Sequence, residues 1–274
     1  DLSSQIGQRL PLFNRKLDWL VVASTQENQV AALPRLMERY PPNQALWAGN
    51  VEASYEARKL NEWLTSHQVR VAKAEKDQVL DLGDGATLTV LSADVRGAVL
   101  LIEYSGFRLL LPVGMSLDSL SALQADETLP PLTALLLADS GYAPLNSAEW
   151  IDFLDPEMVI LSVAADNYDG LPDQETLDAV GERTLLRTDI NGWIEISSDG
   201  KSISVEVEKA TPEVPTPSTP SGTLEPTLTE PPFPTDEPFG TEPPFSTDEP
   251  FGTEPPVPTD EPFATQPPIQ INPP

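Results

Sequence analysis

Residues 17–33 read Leu17-Asp18-Trp19-Leu20-Val21-Val22-Ala23-Ser24-Thr25-Gln26-Glu27-Asn28-Gln29-Val30-Ala31-Ala32-Leu33. The apolar run at 17–23, interrupted only by Asp18, has the length and composition of a buried strand. Four apolar residues then recur at helical spacing and predict a helix: Val30, Leu33, Leu36 and Met37. Residues 24–29 are therefore predicted to form a strand-to-helix loop, where α/β proteins commonly place their functional side chains.

Alternating strands and helices are predicted on both sides of this segment, with an amphipathic helix at 3–15 broken near Pro11. A helix at 54–66 carries Ser54 as its N-cap, with Tyr55, Leu60, Trp63 and Leu64 on its apolar face. Glycine turns predict hairpins, most strongly at Asp199-Gly200. The other predicted strands are 44–47, 69–71, 79–82, 86–91, 98–104, 107–111, 133–137, 158–163, 184–187, 192–197 and 202–207, and the other predicted helices are 117–124, 147–154 and 173–180.

The composition changes near Ala210, which predicts a folded domain at 1–209 and a low-complexity tail at 210–274. Of the 30 Pro residues, 20 lie after Ala210, where a Pro/Thr/Glu-rich unit of 12 residues recurs. Proline at this density blocks helices and sheet ladders, so the tail is predicted to be a disordered spacer. Its phenylalanines could alternatively be docking points for an unidentified protein partner.

Charge and cysteine content restrict the functions open to the chain. The formal net charge is −27, and residues 1–210 alone carry 32 acidic and 16 basic side chains. Because affinity for nucleic acid comes largely from Lys and Arg, this balance disfavours a DNA-binding surface. The chain has no Cys, which excludes disulfides, thiolate metal sites and Cys nucleophiles.

The strand and loop of residues 17–33 resemble the metallo-β-lactamase fold, and in detail the C-terminal domain of the ComEC competence family. In that family a similar strand leads into a metal-binding His-x-His-x-Asp-His loop. The loop here has the same length, but the four ligand positions hold Ser24, Gln26, Asn28 and Gln29. The resemblance implies an α/β fold, an αββα sandwich covering residues 1–207, with a cleft that has lost its metal ligands.

Three later motifs keep the frame of the family and lose its ligands in the same way. A Gly-Asp after a strand, whose Asp bridges the two metals, corresponds here to Gly114. A His-His-Gly-Ser motif corresponds to Asp139-Ser140-Gly141, and the His of an Asn-x-Tyr-Gly-His-Pro motif corresponds to Leu171. The resemblance therefore implies degenerate ligand positions and no metal or other cofactor.

The family domain opens with two or three strands that precede anything in this sequence. We therefore expect one sheet to lack its first strands and the chain to be a fragment or a processed product. Any membrane segment would then lie upstream of Asp1. The resemblance further implies a place on the extracytoplasmic side of the bacterial envelope, because the family is associated with DNA uptake.

Few side chains could support catalysis. The only His of the chain is His67, predicted to be an exposed residue at a helix end, and one imidazole cannot replace the five of the family motifs. Oxygen ligands from Glu27, Asn28 and Asp139 could instead hold Mg²⁺. Ser24 and Ser140 lack a neighbouring base in the sequence, so neither is predicted to be a nucleophile.

These observations predict a non-catalytic metallo-β-lactamase-like domain that serves as a scaffold or binding module of a ComEC-like envelope protein. Two alternatives stay open. One is a divergent hydrolase or nuclease with an oxygen-ligated metal, and the other is a surface-displayed structural protein that carries the tail. The five tryptophans are predicted to pack in or against the core rather than to stack on a ligand: Trp19, Trp47, Trp63, Trp150 and Trp193.

Overall fold

The computed structural model describes residues 6–7, 10, 15–126 and 129–210. Most of the helix predicted at 3–15 and all of the repeat region after residue 210 lie outside these residues. The chain divides into two units, residues 1–216 and 217–274, and the described residues belong to the first. The boundary between the domain and the tail at 209/210 stays a prediction.

The first sheet contains three parallel strands in the order β1-β2-β3, with β1 at Leu17–Val22, β2 at Pro42–Trp47 and β3 at Arg70–Lys73. Parallel neighbours require crossover connections, and helices provide them here. Between β1 and β2 lie α1 (Glu27–Val30) and α2 (Leu33–Arg39), and between β2 and β3 lies α3 (Tyr55–Ser66). The βαβα order predicted from the sequence is present.

A second sheet and a separate hairpin contain the later strands, which are β4 (Val79–Gly83), β5 (Ala86–Ala93), β6 (Ala98–Tyr104), β7 (Phe107–Leu111), β8 (Ala134–Leu136), β9 (Met158–Leu161), β10 (Thr184–Arg187), β11 (Ile194–Ser198) and β12 (Ile203–Val207). The second sheet has seven of these strands in the order β10-β9-β8-β7-β6-β5-β4. Its strands β4 to β7 form an antiparallel meander, whereas β7 to β10 are parallel to one another. The hairpin consists of β11 and β12, with Asp199-Gly200 in its turn as predicted.

Four helices accompany the second sheet: α4 (Leu117–Gln124), α5 (Ala148–Leu154), α6 (Gln174–Val180) and α7 (Thr188–Asn191). The first three begin within one residue of their predicted starts, whereas α7 was not predicted. Ser116 and Ser147 accept hydrogen bonds from the backbone N–H groups of Ser119 and Trp150, and so cap α4 and α5. Within the described part of the chain, no helix is both long and apolar enough to span a bilayer.

Three apolar layers show how the elements stack. Along β6, Val99 and Leu101 pack with residues of α4 and α5, whereas Ala98 and Leu100 pack with Leu46 of the first sheet. Alternate residues of one strand therefore serve two different layers. A third layer joins β1 and β2 to α2 and α3. The order of layers is helices, sheet, sheet and helices, so the predicted αββα sandwich class is confirmed.

The predicted loop at 24–29 is corrected by the structure. Its second half is helical, because α1 begins at Glu27, immediately after the extended residue Gln26. The acidic side chain of Glu27 suits the first turn of a helix, since the helix dipole is positive there. The predicted continuous helix is also divided after Val30, and α2 restarts at Leu33 with Pro34 in its first turn.

The predicted cap of α3 is confirmed, since Ser54 Oγ accepts a hydrogen bond of 3.1 Å from the N–H of Ala57. Leu60 and Leu64 of the predicted apolar face are buried and Trp63 is half-buried, but Tyr55 is 62% exposed. Tyr55 occupies the first position of the helix, outside the layer that Leu60 and Leu64 enter. Core or half-buried packing is confirmed for the tryptophans: Trp47 and Trp150 are buried, and Trp19, Trp63 and Trp193 are half-buried.

Candidate functional site

A cavity of about 1020 Å³ lies where several strands end. It is bounded by residues that follow β1, β7, β8 and β9, at the carboxyl ends of these strands, which is where α/β proteins bind ligands. Six of the eight predicted degenerate ligand positions line it: Gln26, Asn28, Gln29, Asp139, Ser140 and Leu171. Positions far apart in the sequence are thus brought together, although whether they descend from metal ligands stays a prediction.

The other two predicted positions lie outside the cavity lining. Ser24 is buried, and its Oγ accepts a hydrogen bond of 3.2 Å from the N–H of Gln26. A Cβ atom on Gly114 would collide with the carbonyl oxygen of Ala23 and the Cα atom of Gly97. The backbone leaves no room for a side chain at position 114, and the neighbouring Val113 lines the cavity instead.

An ion pair reaches one of the lining residues from outside the cavity. The guanidinium of Arg96, in the turn between β5 and β6, donates to the carboxylate of Asp139 after β8. The Asp139 side chain is 14% exposed and that of Arg96 is 37% exposed, so the pair is partly shielded from solvent. Gln26 Nε2 lies 3.5 Å from the other carboxylate oxygen of Asp139. The one carboxylate among the eight positions is therefore already paired with a cation.

The turn that carries Arg96 is held by Asp94. One carboxylate oxygen accepts hydrogen bonds from the backbone N–H groups of Arg96 (2.7 Å) and Gly97 (3.3 Å). The other oxygen accepts them from the hydroxyls of Ser116 (2.6 Å) and Ser119 (2.7 Å). Partial burial would by itself raise the pKa of Asp94, but the two serine hydroxyls and the two amides outweigh it and lower that pKa below its ordinary value. Asp94 therefore positions the backbone from which Arg96 extends.

The segment around Asp139 has an uncommon backbone. Asp139, Ser140 and Gly141 have φ angles of 44°, 54° and 87°, all in the left-handed region that only Gly adopts readily. The buried amide of Asn146 holds this turn, since it accepts from the N–H of Ala138 (2.9 Å) and donates to the carbonyl of Tyr142 (2.7 Å). Such strain persists only where the surroundings impose it, as they commonly do at functional sites.

The donor set does not fit the two-metal site that the family resemblance implies. Such a site uses imidazoles and carboxylates. The eight positions contain amides, hydroxyls, an aliphatic side chain, a glycine and the single carboxylate that pairs with Arg96. Within the described ranges, no three His, Cys, Asp or Glu residues are grouped so that they could hold a metal. Glu27, an oxygen ligand in the alternative hypothesis, is exposed and does not line the cavity.

His67 lies at the exposed C-terminal end of α3, as predicted. Its ring stacks on Trp63 with 3.9 Å between ring centroids, and its Nδ1 lies 2.8 Å from the Trp63 carbonyl oxygen. These contacts give His67 a role at the end of the helix. His67 is not among the residues that line the cavity.

Two residues that organise the site were not singled out from the sequence. Arg96 stands in an Asp-x-x-Gly turn, a pattern that marks the turn but not the direction of the guanidinium. Asn146 stands in the connection between β8 and α5, where nothing in the sequence distinguishes it from an ordinary loop residue. The loop at 166–170, whose composition faintly resembles a calcium loop, contains an Asn167 Oδ1 bond of 2.9 Å to the N–H of Asp169, typical of an Asx turn.

Comparison with known proteins finds no matching family model and no matching curated protein. Solved structures that resemble the chain include YhfI of Bacillus subtilis, a metallo-β-lactamase fold protein (12% identity, TM-score 0.43, 67% of this chain and 79% of that one). A metallo-β-lactamase superfamily protein of Thermotoga maritima is also similar (12% identity, TM-score 0.31, 53% and 81%).

CmlA, a diiron β-hydroxylase from Streptomyces venezuelae, is similar as well (16% identity, TM-score 0.39). The similarity covers 56% of this chain and 36% of CmlA, so the chain spans only about a third of that enzyme. All three TM-scores are below 0.5. These similarities therefore assign no residue and no activity to this chain.

Proposed function

We propose that this chain is a non-catalytic binding module on a metallo-β-lactamase-like fold, in which an internal guanidinium holds the cleft together. The carrying observation is the ion pair between Arg96 and Asp139 at the edge of the cavity. Asp139 is the one carboxylate at the predicted ligand positions, and Arg96 satisfies its charge within the protein. The cleft keeps its shape through this pair and through the Asp94 and Asn146 networks.

Electrostatics argue against hydrolysis at this cleft. Two like unit charges 4 Å apart repel by about 4 kcal/mol at the effective dielectric constant near a protein surface. A divalent cation beside Asp139 would have to displace Arg96 from that carboxylate or meet repulsion from its guanidinium for each of its two charges. No imidazole stands among the described lining residues to coordinate the cation. A guanidinium is a hydrogen-bond donor with no open coordination position, so it cannot replace a metal in lowering the pKa of a bound water.

The placement of the module in a ComEC-like envelope protein belongs to the same proposal. It is supported by the Gly, Pro and apolar residues that match the family around the four ligand motifs, and by the Pro/Thr-rich composition after residue 210. An extracytoplasmic location and a link to DNA uptake follow from that resemblance. The acidity of residues 1–210 favours a scaffold role over direct contact with DNA.

One observation favours the alternative of an oxygen-ligated metal hydrolase: Asn28 and Asp139 line the same cavity, as that hypothesis requires. The two proposals differ in what Zn²⁺ or Mn²⁺ does to the protein. The test measures metal binding by calorimetry, and turnover of single-stranded DNA and of bis(p-nitrophenyl) phosphate, for the full chain and for the Asp139→Ala variant.

We expect neither metal to bind stoichiometrically and neither substrate to be turned over above background. Glu62→Ala, on the exposed surface of α3, is the matched control for loss of a carboxylate away from the cavity. Metal-dependent turnover that disappears in Asp139→Ala and persists in Glu62→Ala would overturn the proposal. The surface-display alternative is tested by deleting residues 211–274: a partner that binds only through the tail would favour it.

A further inference from the structure

The cavity beside the Arg96–Asp139 pair has a lining that indicates the chemistry of its ligand. We propose that it binds a neutral, hydroxyl-rich molecule, specifically a short oligosaccharide. This proposal deepens the binding role proposed above and rests on it.

Amides and hydroxyls dominate the polar part of the lining. They come from three separate segments: Gln29 and Asn28 after β1, Ser140 after β8, and Ser162 and Asn167 after β9. Each amide offers both donors and an acceptor, and each hydroxyl can act as either. A ligand with many hydroxyl groups can pair with such a lining from several sides, whereas an aliphatic ligand would leave these groups unpaired.

The charges of the lining disfavour an anionic ligand. None of the lining residues is Lys, Arg or His, among the residues that the structure describes. Arg96, which contacts the lining residue Asp139, already donates to its carboxylate. Phosphate, nucleotides and nucleic acid are bound chiefly through cationic side chains. The cavity is therefore not built for them, in spite of the DNA-linked family that the sequence resembles.

The remaining carboxylates do not make a site for a cation either. Asp166 and Asp169 stand in an exposed loop, where water and salt screen their attraction for a positive ligand. Asp139, which is less exposed, is compensated by Arg96. Outside that loop, the described lining residues include one charged side chain, that of Asp139, which Arg96 compensates, and this arrangement suits a neutral ligand.

Gln29, in α1, supplies an independent observation. Its Oε1 atom is buried and has no hydrogen-bond partner among the described residues. A buried acceptor without a partner costs free energy, and a donor from a bound molecule would recover it. Gln29 also belongs to the cavity lining, so a rotation of its amide would present this acceptor to a ligand hydroxyl.

Two tyrosines stand at the cavity with much of their ring surface in solvent. Tyr168 is 95% exposed and Tyr142 is 45% exposed, and both belong to the lining. An exposed aromatic face beside a polar cleft suits a molecule with apolar C–H faces and polar edges, as a sugar ring has. The volume of about 1020 Å³ is at the upper end of the range for small-molecule pockets, which favours an oligosaccharide over a single sugar.

The test is calorimetric titration of the full chain with three neutral trisaccharides: chitotriose, cellotriose and maltotriose. Parallel titrations use inorganic phosphate, single-stranded DNA and spermidine as charged probes. We expect at least one trisaccharide to bind, with an affinity that does not change with ionic strength, because a neutral ligand displaces no counterions.

Variants then locate the binding. Gln29→Ala and Tyr168→Ala are each expected to weaken trisaccharide binding by about tenfold, from the loss of a buried hydrogen bond and of a ring contact. Asp166→Asn removes a charge but keeps an acceptor, so it should change the affinity less than about twofold. Asn61→Ala, on α3 away from the cavity, is the control and should leave the affinity unchanged.

The inference is overturned if no trisaccharide binds, if Gln29→Ala and Tyr168→Ala bind as well as the parent chain, or if a charged probe binds in their place. Circular dichroism and thermal unfolding of each variant show whether a loss of binding is a loss of folding. Failure here is distinguishable from failure of the proposed function. A protein without metal-dependent turnover that also binds none of the sugars retains the first proposal and loses this one.

Discussion

Replacing Arg96 by Met, and Asp139 by Asn, tests whether the ion pair contributes to the cleft as proposed. Met keeps the aliphatic length of Arg without its charge, and Asn tolerates the left-handed backbone that Asp139 adopts. Breaking a fully buried pair costs about 3–5 kcal/mol, whereas an exposed pair is worth at most about 1 kcal/mol. With side chains 37% and 14% exposed, this pair lies between the two cases.

We therefore expect each single substitution to lower the free energy of unfolding by about 2 kcal/mol at pH 7. The double variant should lose less than the sum, with a coupling energy of about 1 kcal/mol. Urea unfolding of the parent, both single variants and the double variant measures all four values. High salt should reduce the coupling only in part, since the pair is partly shielded from solvent.

Two results would refute this reasoning. A coupling energy below about 0.3 kcal/mol would mean that the two side chains act independently in solution. Unchanged binding of the trisaccharide in both single variants would show that the shape of the cleft does not depend on the pair. The Glu62→Ala variant again controls for loss of surface charge, and its unfolding free energy should be unchanged within about 0.5 kcal/mol.

Three further predictions concern single positions. Ser119→Ala should cost about 1 kcal/mol at pH 7 in urea unfolding, because it removes a donor to Asp94. The folded-state pKa of Asp94 is lowered, so its carboxylate adds stability above the unfolded value of 3.8 and loses it as the pH falls through the folded-state pKa. The effect of Ser119→Ala should therefore shrink in strong acid, and an equal loss at pH 7 and in strong acid would contradict it. Gly114→Ala should lower Tm by about 6–12 °C, because the added Cβ collides with the backbone of Ala23 and Gly97. Gly106→Ala is the control and should leave Tm nearly unchanged, since no atom lies within 4 Å of its added Cβ. Similar Tm values for the two variants would contradict this packing. His67→Ala should lower the free energy of unfolding by only about 0.5 kcal/mol, because it removes the ring stack on Trp63. Trisaccharide binding should be unchanged in this variant, and a loss of binding in titration would place His67 at the site.

The sequence predicted most strands and helices because the residues that mark each one lie within it or next to it. The strands Ala98–Tyr104 and Phe107–Leu111 and the helix Leu117–Gln124 occur at the predicted bounds, since turn residues and apolar periodicity mark both of their ends. The segment at 24–39 was predicted less well. Its apolar spacing continues across two short helices, and the break at Ala31–Ala32 carries no Gly to reveal it.

The sequence predicted most of the residues that line the candidate site but not the ion pair beside it. Six of the eight positions taken from the motif frames line one cavity, because each follows a strand and the carboxyl ends of parallel strands meet at one edge. Arg96 was missed because it is 43 residues from Asp139 and belongs to no motif. Position 114 was assigned from its place after β7, but the close approach of Ala23 and Gly97 points Val113 into the cavity instead.

By itself, the amino-acid sequence determined which ligands this protein can offer and where its strands, helices and hairpin turns lie. A single His and no Cys exclude a metal site built on several imidazoles or on any thiolate, whatever the fold, and periodic apolar residues define the elements through near neighbours alone. Only the tertiary structure decided that Arg96 pairs with Asp139 and that the amides after β1 share one cavity with Ser162 and Asn167. These pairings join segments distant in the chain, and they depend on strand order and on the direction of each turn, which no local pattern records.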